Sequence, residues 1–257
     1  MTSLARDCFA HGGGRLAVAE ALALLAARTA PVTGTETLPL ARACGRCLAR
    51  PLAVARDVPA FDNAAVDGYA FAATAASQAE GAVLDLLPGR AAAGHPYGAL
   101  VPPGAALRVL TGAVMPPGTD TVALQEAVRL QTGRVALPAG LAPGANRRRA
   151  GEDLRAGTAT LAPGTRLRPQ EIGLAAALGH AALEVHAPLR VALLSTGDEL
   201  LEPGAPFRAG AVFDANRHML AGLLRPLPVA LTDLGILPDD PARIRRVLAE
   251  AAAAHHV

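Results

Sequence analysis

Leu189-Arg-Val-Ala-Leu-Leu-Ser-Thr-Gly-Asp-Glu199 runs from a short apolar stretch straight into a loop of small and acidic residues. Such a run, bounded by turn residues, reads as a buried strand. Helical patterning follows over Asn216–Leu224, then a second apolar run, Val229–Leu237, that flows into Pro238-Asp239-Asp240, then a second helix, Pro241–Ala254. The order β-α-β-α predicts the start of a doubly wound parallel sheet. His255-His256-Val257 reads as the first steps of a third strand. Parallel sheets are covered on both faces and usually need several strands, so this α/β domain is expected to be incomplete.

Upstream the texture differs. Leu16–Thr29 reads as an Ala/Leu helix ended by Pro31, followed by a strand (Glu36–Leu40) and a helix over Ala41–Arg50. Arg56 to Tyr69 reads as irregular. Between Tyr69 and Pro138, turn signals recur at Pro88-Gly89, Pro102-Pro103-Gly104, Pro116-Pro117-Gly118 and Thr132-Gly133. The apolar runs between them (Ala82–Leu87, Ala106–Leu110, Thr121–Leu124) predict a small antiparallel β barrel or sandwich. Thr158–Leu161 and Arg166–Leu167 are expected to form a hairpin, Pro169 to open a helix that Gly179 closes, and Ala182–His186 to be a strand.

Composition narrows the chemistry. The 257 residues are 51% hydrophobic but only 3% aromatic, without Trp, so the core is aliphatic. All 24 basic residues are Arg. That excludes Schiff-base lysines, a Walker-A lysine and lysine general bases within the chain. A net charge of +2 gives no support to nucleic-acid binding. No apolar run approaches the ~18 residues that span a bilayer, and the N-terminus lacks a signal-peptide pattern. With three Cys, a reduced, cytoplasmic chain is expected. Cys44-Gly-Arg-Cys47 has CxxC spacing but no second pair, so both thiols are read as small side chains on the short helix. His11-Gly-Gly-Gly14 resembles an esterase oxyanion loop, yet none of the three Ser lies in a GxSxG elbow, which sets a serine hydrolase aside.

In an open α/β sheet, ligands bind beyond the C-terminal strand ends. There the chain delivers Ser195, Thr196, Gly197, Asp198 and Glu199 from one strand and Asp239 and Asp240 from the next, with Asp214 and Asn216 before the crossover helix. Carboxylates converging at one edge suit a hard cation such as Mg²⁺ that bridges phosphate. Asp240 before Pro241 reads as a helix cap; Asp214 or Asn216 fits a cap as well as a ligand. Arg147-Arg148-Arg149 beside Glu152-Asp153 fits an anion clamp or a solvated loop, and Thr111-Gly112 an oxyanion site or a plain turn. Arg246 and Glu250 are spaced for an ion pair along one helix face.

Six segments in order resemble the molybdopterin molybdotransferase family, the MoeA proteins and the gephyrin E domain. They are Asp57-Val-Pro-Ala-Phe-Asp-Asn-Ala-Ala-Val-Asp-Gly-Tyr-Ala70; Leu110-Thr-Gly-Ala-Val-Met-Pro-Pro-Gly118 with Gln125-Glu126; Asn146 to Asp153; Val191 to Leu200; Phe213-Asp-Ala-Asn216; and Leu234-Gly-Ile-Leu-Pro-Asp-Asp-Pro241. The resemblance implies Mg²⁺-dependent insertion of molybdate into adenylylated molybdopterin with release of AMP, by an elongated cytoplasmic homodimer. It implies a molybdopterin adenylyltransferase as a further partner, and neither nucleic acid nor membrane. Carried over by motif, Asp67, Thr111, Asp153, Glu199 and Asp239 are the catalytic candidates. Ser195, Thr196, Gly197, Asp214, Asn216, Arg148 and Arg149 are the substrate-binding candidates, and Asp198, Glu199 and Asp239 the metal candidates. Three domains are implied: 1–57 with 141–187 as N-terminal helix, linker and dimerisation region, 58–140 as the β domain, and 188–257 as an incomplete molybdopterin-binding-like domain.

Ala64 and Val66 stand where the family motif has Ser and Met, and Arg147 and Ala150 shift its Arg pattern. The family's Ser-Gly-Gly loop, lysine-bearing motifs and C-terminal β domain have no counterpart here. A C-terminally truncated member, inactive by itself, is therefore expected; a non-catalytic dimerisation or scaffold remnant is the alternative. A generic anion- or nucleotide-binding α/β protein is the third reading, and the motif set disfavours it.

Overall fold

A computed structural model describes residues 16–74, 77 and 81–257. Cys8, Ser3 and the His11 to Gly14 loop lie outside the described residues. The chain divides into two compact units, residues 37–185 and residues 1–36 with 186–257.

Within 37–185 the largest element is a six-stranded sheet. Its strands are β4 (Gly68–Phe71), β5 (Val83–Ala91), β6 (Ala105–Val109), β7 (Thr121–Leu124), β8 (Arg129–Gln131) and β9 (Arg134–Ala136), in the order β7-β4-β6-β5-β9-β8. The sheet is mixed, which corrects the expected antiparallel domain: β5 and β6 run parallel. The segment 92–104 between them is long enough to carry the chain back to the same end of the sheet. β4 is buried along its length, and Gly68 pairs across from Leu124. A Cβ on Gly68 would lie 2.0 Å from the Ala123 carbonyl oxygen, so only glycine lets β4 and β7 approach this closely. Apolar clusters line the sheet, one around Leu107, Val109 and Val122 and one around Phe71, Ala106 and Val135.

A third cluster joins Leu38, Leu48, Leu52 and Val54 to Leu167, Ala175, Leu183 and Val185. It explains two departures from the sequence reading. The expected hairpin is absent: β11 (Ala159–Leu161) pairs with β2 (Leu52–Ala53), and Arg166 bridges to Cys47. Each segment pairs with the earlier one because that places Leu48, Leu52 and Leu167 in one core. The helix expected over Ala41–Arg50 is only α2 (Leu40–Ala43), because Cys44 is extended and Gly45 turns at φ 83°. Cys44 is thus exposed past the helix end, and Cys47 is half-buried on the bridge; both are free thiols. The supposedly irregular Arg56–Tyr69 stretch contains β3 (Asn63–Ala64), paired with β10 (Arg147–Arg148), before it enters β4. α3 (Pro169–Ala177) opens on proline, Gly179 at φ 84° follows its end, and Ala182–His186 forms β12, paired with β1 (Thr35–Pro39).

The other unit holds α1 (Val18–Arg28) and the predicted α/β run. β13 (Leu189–Thr196) and β16 (Val229–Leu237) pair in parallel, with α4 (Ala215–Leu224) between them in sequence and α5 (Pro241–Ala254) after. The register shifts between Leu193 and Ser195, where Gly235 bulges out of β16 at φ 72°. After α5 the chain meets the other edge of β13: His256 N–H donates to Arg190 O at 2.8 Å and Val257 O accepts from Ala192 N–H at 2.8 Å. No ion pair joins Arg246 to Glu250 among the described residues. No described helix is long and apolar enough to cross a membrane.

Candidate active-site residues in two units

The strand ends of β13 and β16 carry one group of candidates. Asp239 N–H donates to Asp198 Oδ1 at 3.2 Å, and Asp198 N–H points back at Asp239 Oδ2 at 3.4 Å. The two loops are thereby tied together, each aspartate holding the other's backbone. Arg208 adds a guanidinium donor to the Asp198 carbonyl. Glu199 is placed differently. Its carboxylate folds over Gly197, where a Cβ would meet Glu199 Oε2 at 2.6 Å, and φ of 147° disfavours any side chain there. Among the described residues no three carboxylate, imidazole or thiol side chains form a group that could hold a metal.

Beside these loops lies a cleft of about 360 Å³, lined by Ser195, Thr196, Glu199, Leu200, Val212, Phe213, Asp214, Ala215 and Asn216. Asp214 caps α4 by accepting the Arg217 N–H at 3.2 Å, and its other oxygen accepts Arg217 Nε–H at 2.9 Å. Burial pushes the Asp214 pKa up, but the Arg217 guanidinium, the backbone N–H and the Ser195 hydroxyl together hold it below the ordinary carboxylate value. Arg217 also binds Asp233, in mid-strand on β16, and Glu202. Asp214 is therefore a structural acid with a charged partner, whereas Asn216 is exposed at the cleft. The sequence reading missed Arg217, Asp233 and Glu202. The i, i+3 spacing of Asp214 and Arg217 in Phe213-Asp-Ala-Asn-Arg217 was the available signal. Asp240 is the expected cap, accepting from Ala242 N–H at 2.9 Å and from Arg243 N–H at 3.4 Å.

The second group of candidates lies in residues 37–185. Asp67 precedes Gly68 on β4, and Thr111 follows β6, so neighbouring strand ends bring them together. Asp67 Oδ1 accepts both the Thr111 hydroxyl, at 2.6 Å, and the Thr111 N–H, at 2.7 Å. These bonds hold its pKa below the usual carboxylate value, helped by Arg108. Thr111 spends its donors on Asp67, leaving Asp67 Oδ2 without a hydrogen bond among the described residues. Arg148 is likewise committed: it pairs with Asp153 and, at 3.3 Å, with Glu152, which hold its pKa up. Arg149 N–H donates to Glu152 at 3.0 Å, and Arg147 reaches Asp62 at 3.3 Å. Asp62, which the sequence reading did not single out, also accepts the Ala150 N–H at 2.8 Å and so closes this loop.

Residues 16–179 match the model of the MoeA N-terminal region (domains I and II). This chain belongs to the MoeA family. Residues 192–257 match the model of a probable molybdopterin binding domain. A molybdopterin molybdenumtransferase of Haemophilus influenzae is 38% identical over 85% of this chain and 54% of its own length. Molybdopterin molybdenumtransferase 2 of Mycobacterium tuberculosis is 36% identical over 82% of this chain and 53% of its own. This MoeA chain thus spans about half the length of the curated relatives it matches. A crystal structure of a molybdopterin biosynthesis MoeA protein from Pyrococcus horikoshii aligns with a TM-score of 0.76 and 35% identity, covering 91% of this chain and 62% of that one. The MoeA assignment supports the fold class as a mixed β and α/β arrangement.

Proposed function

We propose that this MoeA-family chain acts in molybdenum cofactor biosynthesis, binding adenylylated molybdopterin and contributing to molybdate insertion with release of AMP. The observation that carries the reading is the Asp198–Asp239 pair on adjoining parallel strand ends, within the segment that matches a molybdopterin binding domain. Mg²⁺ takes one or two carboxylates and completes its shell with water and substrate phosphate oxygens. Asp198 and Asp239 offer that donor set, with Glu199 as a nearby reserve. The cation, when bound, would neutralise charge on the phosphoanhydride.

The chain's own groups do the rest. Ser195, Thr196, Gly197 and Asn216 bind the substrate in the cleft, and Asp214 fixes the Ser195 hydroxyl. Asp67, held ionised by Thr111, presents its free oxygen as a proton acceptor or metal-water anchor. Arg149 attracts the anionic substrate, while Arg148 and Asp153 hold their loop in shape. The whole protein works as a cytoplasmic homodimer that receives substrate from a molybdopterin adenylyltransferase. Its domains divide as 1–57 with 141–187, 58–140 and 188–257.

The test is retention of adenylylated molybdopterin by the purified chain in Mg²⁺. Retention that falls at least tenfold in Asp198→Ala/Asp239→Ala supports the reading. Absence of retention by the wild-type chain refutes it.

A further inference from the structure

Flat side chains are scarce here: five Phe, two Tyr and no Trp in 257 residues. Two of them meet beside the cleft. The rings of Phe207 and Phe213 lie 5.8 Å apart and are tilted by 47°. Both stand in solvent, 67% and 43% exposed. Phe213 lines the cleft along with Ser195, Thr196 and Asn216. Leaving two rings in water forgoes the burial that stabilises most aromatic side chains. Exposed rings at the edge of a polar cleft offer a ligand an apolar face beside hydrogen-bonding groups.

The backbone under Phe213 is well held. Phe213 lies on β15 (Val212–Phe213), paired with β14 (Leu200–Leu201), and the next residue, Asp214, donates its N–H to Leu201 O at 2.9 Å. Asp214 in turn is locked to buried Arg217. The Phe207 ring lies against that of Phe213. The result is one preset apolar face next to hydroxyl and amide groups. An aliphatic chain would leave those polar groups unused. A flat ring with polar edges uses both: its face stacks and its edge hydrogen-bonds.

We propose that Phe213, steadied by Phe207, is a specificity-determining residue that stacks on a planar nitrogen heterocycle of the bound substrate. The inference rests on the function proposed above, in which the ring is either the pterin or the adenine of the adenylylated substrate.

Calorimetric titration of the full chain with neopterin and, separately, with AMP tests this. Phe213→Leu keeps apolar bulk and removes the π face; Phe207→Leu removes only the support. Phe213→Leu is expected to weaken binding of one ring about fivefold or more, and Phe207→Leu by a smaller factor, with unfolding midpoints unchanged. Loss confined to neopterin assigns the pterin, loss confined to AMP the adenine, and loss for both a face shared by the two rings. Wild-type affinity of Phe213→Leu for both probes overturns the stacking role and leaves the functional reading standing. Failure of the wild-type chain to bind either probe overturns both.

Discussion

Arg217 Nε donates to Asp214 at 2.9 Å, and both side chains are almost wholly buried, at 5% and 2% exposure. The same guanidinium holds Asp233 and Glu202. One cation therefore ties the cap of α4, the middle of β16 and the loop after β14 into one network, directly behind the cleft. Burying such a pair is not in itself a large gain, but removing one partner strands the other.

Arg217→Met should cost about 3–5 kcal/mol, because Asp214 is left charged in a dry site. The pH dependence should also change sign. In the wild type the Asp214 pKa is lowered, so its contribution is full above the ordinary carboxylate pKa and is lost as pH falls. Without Arg217, burial dominates and the pKa rises, so acid should stabilise the variant relative to neutral pH. Hydrogen exchange over α4 and β16 at two pH values reads both effects. A loss below 1 kcal/mol would show that the network is not what holds this unit.

Gly68→Ala should destabilise by about 1–3 kcal/mol or more, since the added Cβ faces a backbone oxygen that cannot step aside. The same shift would displace Asp67. Chemical denaturation measures the first effect. The nuclear magnetic resonance signal of the Thr111 amide, bonded to Asp67, reports the second.

Asp67→Asn keeps an oxygen for the Thr111 hydroxyl and N–H but removes the charge. The unfolding midpoint should stay near that of the wild type, while AMP release in an assay that supports turnover should fall at least tenfold. Unchanged turnover would reduce Asp67 to a loop anchor.

The Glu171 pKa is pushed down to about 2 by the Arg168 guanidinium and the Arg168 backbone N–H, which donates at 2.8 Å. The folded value lies below the ordinary 4.5, so its contribution to stability is complete above 4.5 and lost as pH falls toward 2. Glu171→Gln should flatten that part of the stability profile. Protection of the α3 amides between pH 5 and pH 2.5, compared between the two chains, checks it.

Asp240→Ala should cost about 1 kcal/mol through loss of the α5 cap and leave retention of adenylylated molybdopterin intact. Asp239→Asn should do the reverse. Equal effects of the two on retention would mean that the loop, not the Asp239 carboxylate, is what matters.

Local signals carried far in this chain. β16 and α5 have the predicted boundaries because Pro238 and Pro241 punctuate them and Asp240 caps the helix. Thr121–Leu124, Ala182–His186 and the proline start of α3 were legible for the same reason: turn chemistry and apolar runs act over a few residues. The family motifs pointed to Asp67, Thr111, Asp153, Glu199 and Asp239, and the strand-end position pointed to Asp198, as candidates without any coordinates.

Tertiary structure alone decided the rest. The parallel pairing of β5 with β6 and the pairing of β11 with β2 depend on which distant segments share a core, and no local pattern records that. The conformations of Cys44 and Gly45 that end α2 early place Leu48 in the same core. That Thr111 spends both donors on Asp67, and that Arg217 gathers three acids from separate segments, follows from positions brought together by folding. Sequence specifies which groups are present; only packing determines which of them must satisfy one another once water is excluded.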